Sequence, residues 1–208
     1  MSSAFYNLFV RTIQRALEIP SRGLPKSQSY KEPFDEALGV STSGIVWLTN
    51  LRHKNFVHGI RYEPCSPKNC EWAIENAGID PTEFSFIDMG CGKGRPLIIA
   101  ARHKFAELIG VDYSRKLCGI AKDNLQRLSI PARIVCQDAV EFDVPDRDIF
   151  VFFYAPFGPV VLHKVVENLR RAKRVVVAYH GLGQRAIEDH PWLKPFACFD
   201  DTVLFRNF

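Results

Sequence analysis

The chain has 208 residues, 47% hydrophobic and 24% charged, which is enough for one domain with a sizeable core and ordinary for a globular protein. No apolar run reaches the roughly 18 residues of a membrane span, and the N-terminus lacks the apolar segment and cleavage site of a secretory signal, so a cytoplasmic location is expected. The net charge of +4 resides in residues 1–31, where Arg11, Arg15, Arg22, Lys26 and Lys31 face Glu18 alone; the remaining 22 basic and 22 acidic residues cancel. A nucleic-acid binder usually carries a basic face across its body, so nucleic acid is not expected as a partner.

In chain order, Phe5, Leu8, Phe9, Ile13, Ala16 and Leu17 recur at helical spacing and predict an amphipathic helix. Such a helix packs on its own domain or makes weak contact with an anionic surface through residues 1–31. Residues 20–33 are rich in Pro, Ser and Gly and read as a linker. Residues 34–79 are mixed, with loops and short helices expected. From Phe84 onward the pattern is regular. Apolar strands are expected at 84–90, 107–113, 132–138, 148–155 and 174–179. Helical segments fall at 95–105, 115–128 and 159–172, with a short piece near 139–143. This alternation marks a parallel α/β sheet with crossovers. Residues 192–199 and 202–208, joined at Asp200-Asp201, predict an antiparallel hairpin closing the sheet.

The six cysteines form no C-x-x-C pair and no Cys/His cluster of zinc spacing, so no metal site is expected. Cys91, Cys118 and Cys136 lie in apolar segments, where a free thiol serves as a small hydrophobe. Cys65 and Cys70 are the pair close in sequence. Trp47, Trp72 and Trp192 read as core residues. Of the six histidines, His180 is the best placed for chemistry because it follows the fifth strand.

Between the first core strand and its helix stands "DMGCGKGRP", with Gly90, Gly92 and Gly94. Ligands of open α/β sheets bind at the carboxyl ends of the strands, and glycines there admit close backbone approach and positive φ. The spacing is not that of a P-loop, since Lys93 is followed by Gly94. A dinucleotide fingerprint would need a small residue where Arg95 stands. Lys93 and Arg95 could bind an anion or pair locally with Asp88. Asp88, at the strand end, would repel a pyrophosphate but suit an amine. Asp112, closing the next strand, can accept from both hydroxyls of a ribose. Asp138, closing the third, can accept from an exocyclic amine. An amino acid, a ribose and an adenine across three successive strand ends describe S-adenosylmethionine.

With DMGCGKG, GVDYS, QDA and FFYAPF in this order, residues 84–208 resemble the class I S-adenosylmethionine-dependent methyltransferases. The resemblance implies a Rossmann-like seven-stranded, mostly parallel sheet with a terminal antiparallel hairpin. It gives the methionine moiety to Asp88 and the turn with Gly90 and Gly92, the ribose to Asp112, and the adenine to Asp138 and the Ala139 amide. Tyr113 would pack on the adenine. "FDEALGVSTSG", "RYEP" and "FIDMGCGKGR" are similar to an uncharacterised bacterial branch of these enzymes. "YEPCS" and "YAPFGP" resemble the non-SET family that methylates histone lysine, in which a Tyr ahead of the core, here Tyr62, closes over the cofactor. The branch usually carries Asn-Pro-Phe where this chain has Ala155-Pro156-Phe157, so the amide that holds a target nitrogen is missing. Residues 1–80 are expected to form a helical and loop lid and residues 81–208 the cofactor-binding core. Tyr154, Pro156 and Phe157 are expected to wall the acceptor, a protein side chain or small molecule. The alternative is a module that binds the cofactor or its product without chemistry.

Overall fold

The computed structural model describes residues 28–47, 61–181 and 183–208. The helix expected over 5–17, together with His53 and His58, lies outside them. Seven strands form the sheet: β3 (Ser85–Met89), β4 (Glu107–Asp112), β5 (Arg133–Cys136), β6 (Ile149–Tyr154), β7 (Val175–His180), β8 (Lys194–Phe199) and β9 (Thr202–Arg206), in the order β5-β4-β3-β6-β7-β9-β8. The first five run parallel, and β9 pairs antiparallel with both β7 and β8. The expected α/β sheet and its closing hairpin are both present. A short antiparallel pair, β1 (Val46–Trp47) and β2 (Arg61–Tyr62), stands apart from the sheet.

The period of two along the central strands divides the core. Ile149, Val151 and Phe153 face one layer, together with Ile87 and Met89. Phe150 and Phe152 face the other with Phe86, and Phe86 stacks on Phe150 at 5.4 Å. The first layer is covered by α5 (Pro159–Asn168) and α6 (Arg185–Glu188), and the second by α2 (Pro67–Glu75), α3 (Arg95–Ala100) and α4 (Arg115–Arg127). The mixed segment before the core thus holds a short helix, α1 (Pro33–Leu38), and a longer one, α2, whose Pro67 occupies the first turn. Proline fits there because its missing N–H would be unpaired in any case.

Gly110 explains how α3 comes so close to the sheet. A Cβ at that position would lie 2.8 Å from both Leu97 Cδ1 and Ile134 Cδ1, and 2.9 Å from Cys91 Sγ. The close helix packing that a third glycine of a dinucleotide turn provides is achieved here from the neighbouring strand. Trp72 and Trp192 are half-buried against the two cores, as their reading as packing residues expects. Cys136 corrects the expectation for it: it is exposed, because it stands at the end of β5, the edge strand of the sheet. All six cysteines are free.

Candidate functional site

The parallel strands bring their carboxyl ends to one rim. Across it, in sheet order, stand Asp138 beyond β5, Asp112 on β4, Asp88 and the glycine turn on β3, Tyr154 on β6 and His180 on β7. The turn leaves β3 through Gly90, Gly92 and Gly94, all at positive φ (86°, 51° and 84°). Its amides are held from the adjacent strand, with Gly90 and Cys91 both donating to the Val111 carbonyl at 2.8 and 3.0 Å.

Asp88 is 2% exposed, and its Oδ2 has no hydrogen-bond partner. Burial, and then the nearby Asp112 carboxylate, push its carboxyl well above the usual range. An orphaned buried carboxylate oxygen is costly and rare in a folded protein. Beneath a bare glycine turn, it fits a cationic ligand group. Asp112 is equally buried but well supported: Oδ2 accepts from Gly92 N at 2.9 Å and Oδ1 from Ser114 N at 2.8 Å. Burial raises its pKa to about 6, against the downward pull of these two bonds. Each oxygen keeps a second lone pair, which suits a pair of vicinal hydroxyls. Tyr113 follows, half-buried, its hydroxyl pushed up to about 12 by burial and the Asp112 charge. Asp138 Oδ1 accepts from Val140 N at 3.0 Å, capping a single 3₁₀ turn over Ala139–Glu141.

Tyr62 lies directly over the turn, since a Cβ at Gly92 would collide with its ring. Its hydroxyl donates to the Thr42 carbonyl at 2.5 Å. The Lys93 ammonium sits 5.0 Å from the Tyr62 ring centroid and also donates to the Ser43 carbonyl. Arg95 is 2% exposed and reaches the same segment. Nε donates to Thr42 Oγ1 at 2.7 Å, Nη2 to Ser43 Oγ at 3.0 Å, and Nη1 to the Cys65 carbonyl at 3.0 Å while pairing with Glu32 at 2.6 Å. Asn124 completes the seam, with Oδ1 accepting from Ser41 N and Nδ2 donating to the Ser41 and Lys93 carbonyls. The two cations therefore do not pair with Asp88, and Arg95 pairs instead with Glu32 and Asp35. They tie residues 41–43 to the glycine turn, a role the sequence reading missed because the partners stand about fifty residues away.

The FFYAPF segment divides at Ala155, whose φ of 40° is uncommon for a residue with a Cβ. The Ala155 amide donates to the His180 carbonyl at 2.9 Å. Before this bend, Tyr154 packs toward the layer of Asp88 and stacks on His180, with centroids 4.5 Å apart and planes 6° apart. After it, Pro156 seats against the glycine turn, where a Cβ on Gly90 would lie 2.5 Å from Pro156 Cβ. Phe157 turns to the opposite layer, edge-on to Phe153 at 6.3 Å. The structure thus brings Tyr154 and Pro156 to the rim with Asp88, and directs the Phe157 ring away from them. Among the described residues no group of His, Cys, Asp and Glu side chains is arranged to hold a metal ion, and no helix is long and apolar enough to cross a membrane.

A family model described as a methyltransferase domain matches residues 86–178. No curated protein matches the chain. Among solved structures, an RNA methyltransferase from Salinibacter ruber in complex with S-adenosyl-L-homocysteine is 23% identical with a TM-score of 0.54, the match covering 69% of this chain and 91% of that one. A SAM-dependent methyltransferase from Aquifex aeolicus is 15% identical with a TM-score of 0.52, covering 67% and 89%. These likenesses share the fold.

Proposed function

We propose, from the premise that the chain is an S-adenosylmethionine-dependent methyltransferase whose matched domain spans residues 86–178, a specific division of labour around its rim. The cofactor supplies a methyl group already activated on a sulfonium. Asp88 and the turn with Gly90 and Gly92 receive its methionine end, Asp112 the ribose hydroxyls, and Asp138 with the Ala139 amide the adenine, on which Tyr113 packs. Tyr62 closes over this end from the preceding segment. Residues 1–80 act as the lid and residues 81–208 as the core. The observation that carries this reading is the orphaned Asp88 Oδ2, buried under a turn bare of side chains.

Tyr154 and Pro156 wall the acceptor side, while the Phe157 ring packs on the opposite layer. Because the methyl is already activated, the protein contributes mainly alignment and exclusion of water, effects worth about 7–11 kcal/mol in well-oriented systems. The acceptor is a protein side chain or a small molecule, met in the cytoplasm. The evenly cancelled charge of residues 32–208 argues against nucleic acid. Calorimetry with S-adenosylhomocysteine tests the cofactor assignment. Asp112→Ala is expected to weaken binding by about 1.5–3 kcal/mol, the range for a hydrogen bond to a charged group, and NAD is expected not to compete. Unchanged affinity in the variant would remove Asp112 from the site. Transfer of a labelled methyl into a cell lysate then identifies the acceptor class.

A further inference from the structure

His180 closes β7 opposite Thr202 of β9 in their antiparallel register. Its Nδ1 is engaged twice, by Asn69 Nδ2 at 3.1 Å and by Thr202 Oγ1 at 2.9 Å. Both partners are buried, at 6% and 0% exposure, while His180 keeps part of its surface open. An amide nitrogen only donates, so the ring nitrogen facing it presents a lone pair. The Thr202 hydroxyl can donate or accept and is compatible with the same tautomer. The ring proton is therefore on Nε2. Burial also opposes a second proton, prevailing over the Asp201 and Asp200 carboxylates that favour one. Tyr154, the ring stacked on this imidazole, keeps its own proton because burial raises its pKa.

We propose that His180 is the hydrogen-bond donor of the acceptor site, offering Nε2–H beside Tyr154 to a carbonyl-type oxygen or a ring nitrogen adjacent to the atom that is methylated. This rests on the reading of Tyr154 and Pro156 as the acceptor wall. It assigns His180 the opposite part to a general base, since Nδ1 is occupied and Nε2 has no lone pair to offer. An acceptor bound here arrives with its nucleophilic lone pair free, as a pyridine-type nitrogen of a heteroaromatic ring does. Asn69 and Thr202 are positioning residues that act through the ring.

The test uses the full chain labelled with ¹⁵N, saturated with S-adenosylhomocysteine, in long-range proton–nitrogen correlation spectra. The His180 signals are identified by their loss in His180→Gln. A pyridine-like Nδ1, a pyrrole-like Nε2 and a midpoint below that of ordinary histidine are expected. Asn69→Asp replaces the donor with a carboxylate, and is expected to move the proton to Nδ1 and raise the midpoint. A protonated Nδ1 in the native chain, or an Asn69→Asp spectrum with the native tautomer, overturns the proposal. In methyl transfer to lysate, His180→Leu is expected to lose about ten- to a hundredfold, and His180→Gln, which keeps an N–H, less than tenfold. Equal loss in both also overturns it. Failure of the native chain to bind S-adenosylhomocysteine would instead defeat the methyltransferase assignment itself, a result separable from the tautomer.

Discussion

Replacing Arg95 with Met tests whether residues 32–43 are part of the cofactor site or merely lie beside it. The guanidinium is surrounded by Glu32, Thr42 Oγ1, Ser43 Oγ and the Cys65 carbonyl, with Asp35 at 3.6 Å and the Phe34 ring at 5.1 Å. On its removal Glu32, 31% exposed at its side chain, can recover water, but Asp35, 2% exposed at its own, cannot. Burial raises the pKa of Asp35, but its donors from Thr42 N, Thr42 Oγ1 and Ser43 N outweigh it and hold the carboxyl low, so it stays ionised after losing its ion-pair partner. Breaking one side of a buried ion pair costs about 3–5 kcal/mol. At about 2–4 °C per kcal/mol for a chain of this size, Tm falls by roughly 6–20 °C.

The functional consequence is more diagnostic. Thr42 receives the Tyr62 hydroxyl, and Ser43 receives Lys93, so loosening this segment frees the ring that lies on Gly92. Arg95→Met is therefore expected to weaken S-adenosylhomocysteine binding, measured by calorimetry well below the lowered Tm. Asp35→Asn added to Arg95→Met should restore part of the stability, because it removes the stranded charge and keeps an acceptor for the Thr42 and Ser43 amides. A Tm change under about 2 °C would refute the buried-clamp energetics. A large loss of stability with native affinity would refute the link to the cofactor.

Cofactor affinity is expected to depend on pH. The carboxyls of Asp88 and Asp112 are both raised in the folded chain, Asp112 to about 6, so the stability each contributes is fully present below the unfolded pKa near 3.8 and is lost as pH rises through the folded value. The ligand-free protein should thus weaken across that window while binding of the amine strengthens with proton release, and calorimetry in two buffers of different ionisation enthalpy would show no buffer dependence at pH 7 if Asp88 were already ionised. For the acceptor wall, Tyr154→Phe should lower transfer modestly and Tyr154→Ala severely, both with near-native cofactor affinity; complete loss in Tyr154→Phe would make the hydroxyl an acid–base group. Ala155→Gly should relieve the left-handed backbone at this position and raise Tm by a few degrees, at about 1–2 kcal/mol per strained residue; a fall in Tm would mean the Cβ packing outweighs the strain.

The parts legible in the sequence are those whose physics is local. The strand, glycine turn and helix at 85–100 are written in contiguous residues, and the strand-end acids fall at the rim because each closes its own apolar run. The seam around Arg95 is written across distance: Thr42 is 53 positions away and Cys65 is 30. Arg95 registered in the sequence only as the absence of a small residue, which excluded a dinucleotide turn but gave no hint of a clamp. Cys136 misled for a related reason, since an apolar strand reads alike at the centre and at the edge of a sheet. Tyr154, Pro156 and Phe157 read as a single wall because they lie in one contiguous segment, yet Tyr154 and Phe157 stand three residues apart, an odd spacing that period two already sends to opposite faces. They pack on opposite layers, with the positive-φ bend at Ala155 between them.

That bend also determines how the two halves of the rim communicate. Ala155 is held by the His180 carbonyl, and a Cβ on Gly181 would stand 2.8 Å from Ala155 Cβ, so β6 and β7 leave the sheet as one packed unit. Pro156 then rests on Gly90, and Gly90 shares the Val111 carbonyl with Cys91. The next residue, Gly92, donates to Asp112. A continuous line of contacts therefore runs from the backbone carbonyl of His180 to the carboxylate of Asp112 through backbone and one proline ring. Packed backbone does not deform gradually, so the proposed acceptor wall and the glycine turn must hold their relative positions or shift together. In a transfer that depends on in-line approach to an activated methyl, such rigid spacing between wall and turn is what alignment requires. On the proposed reading, acceptor selectivity then rests with the side chains that project beyond this line, Tyr154 and His180, rather than with the line itself.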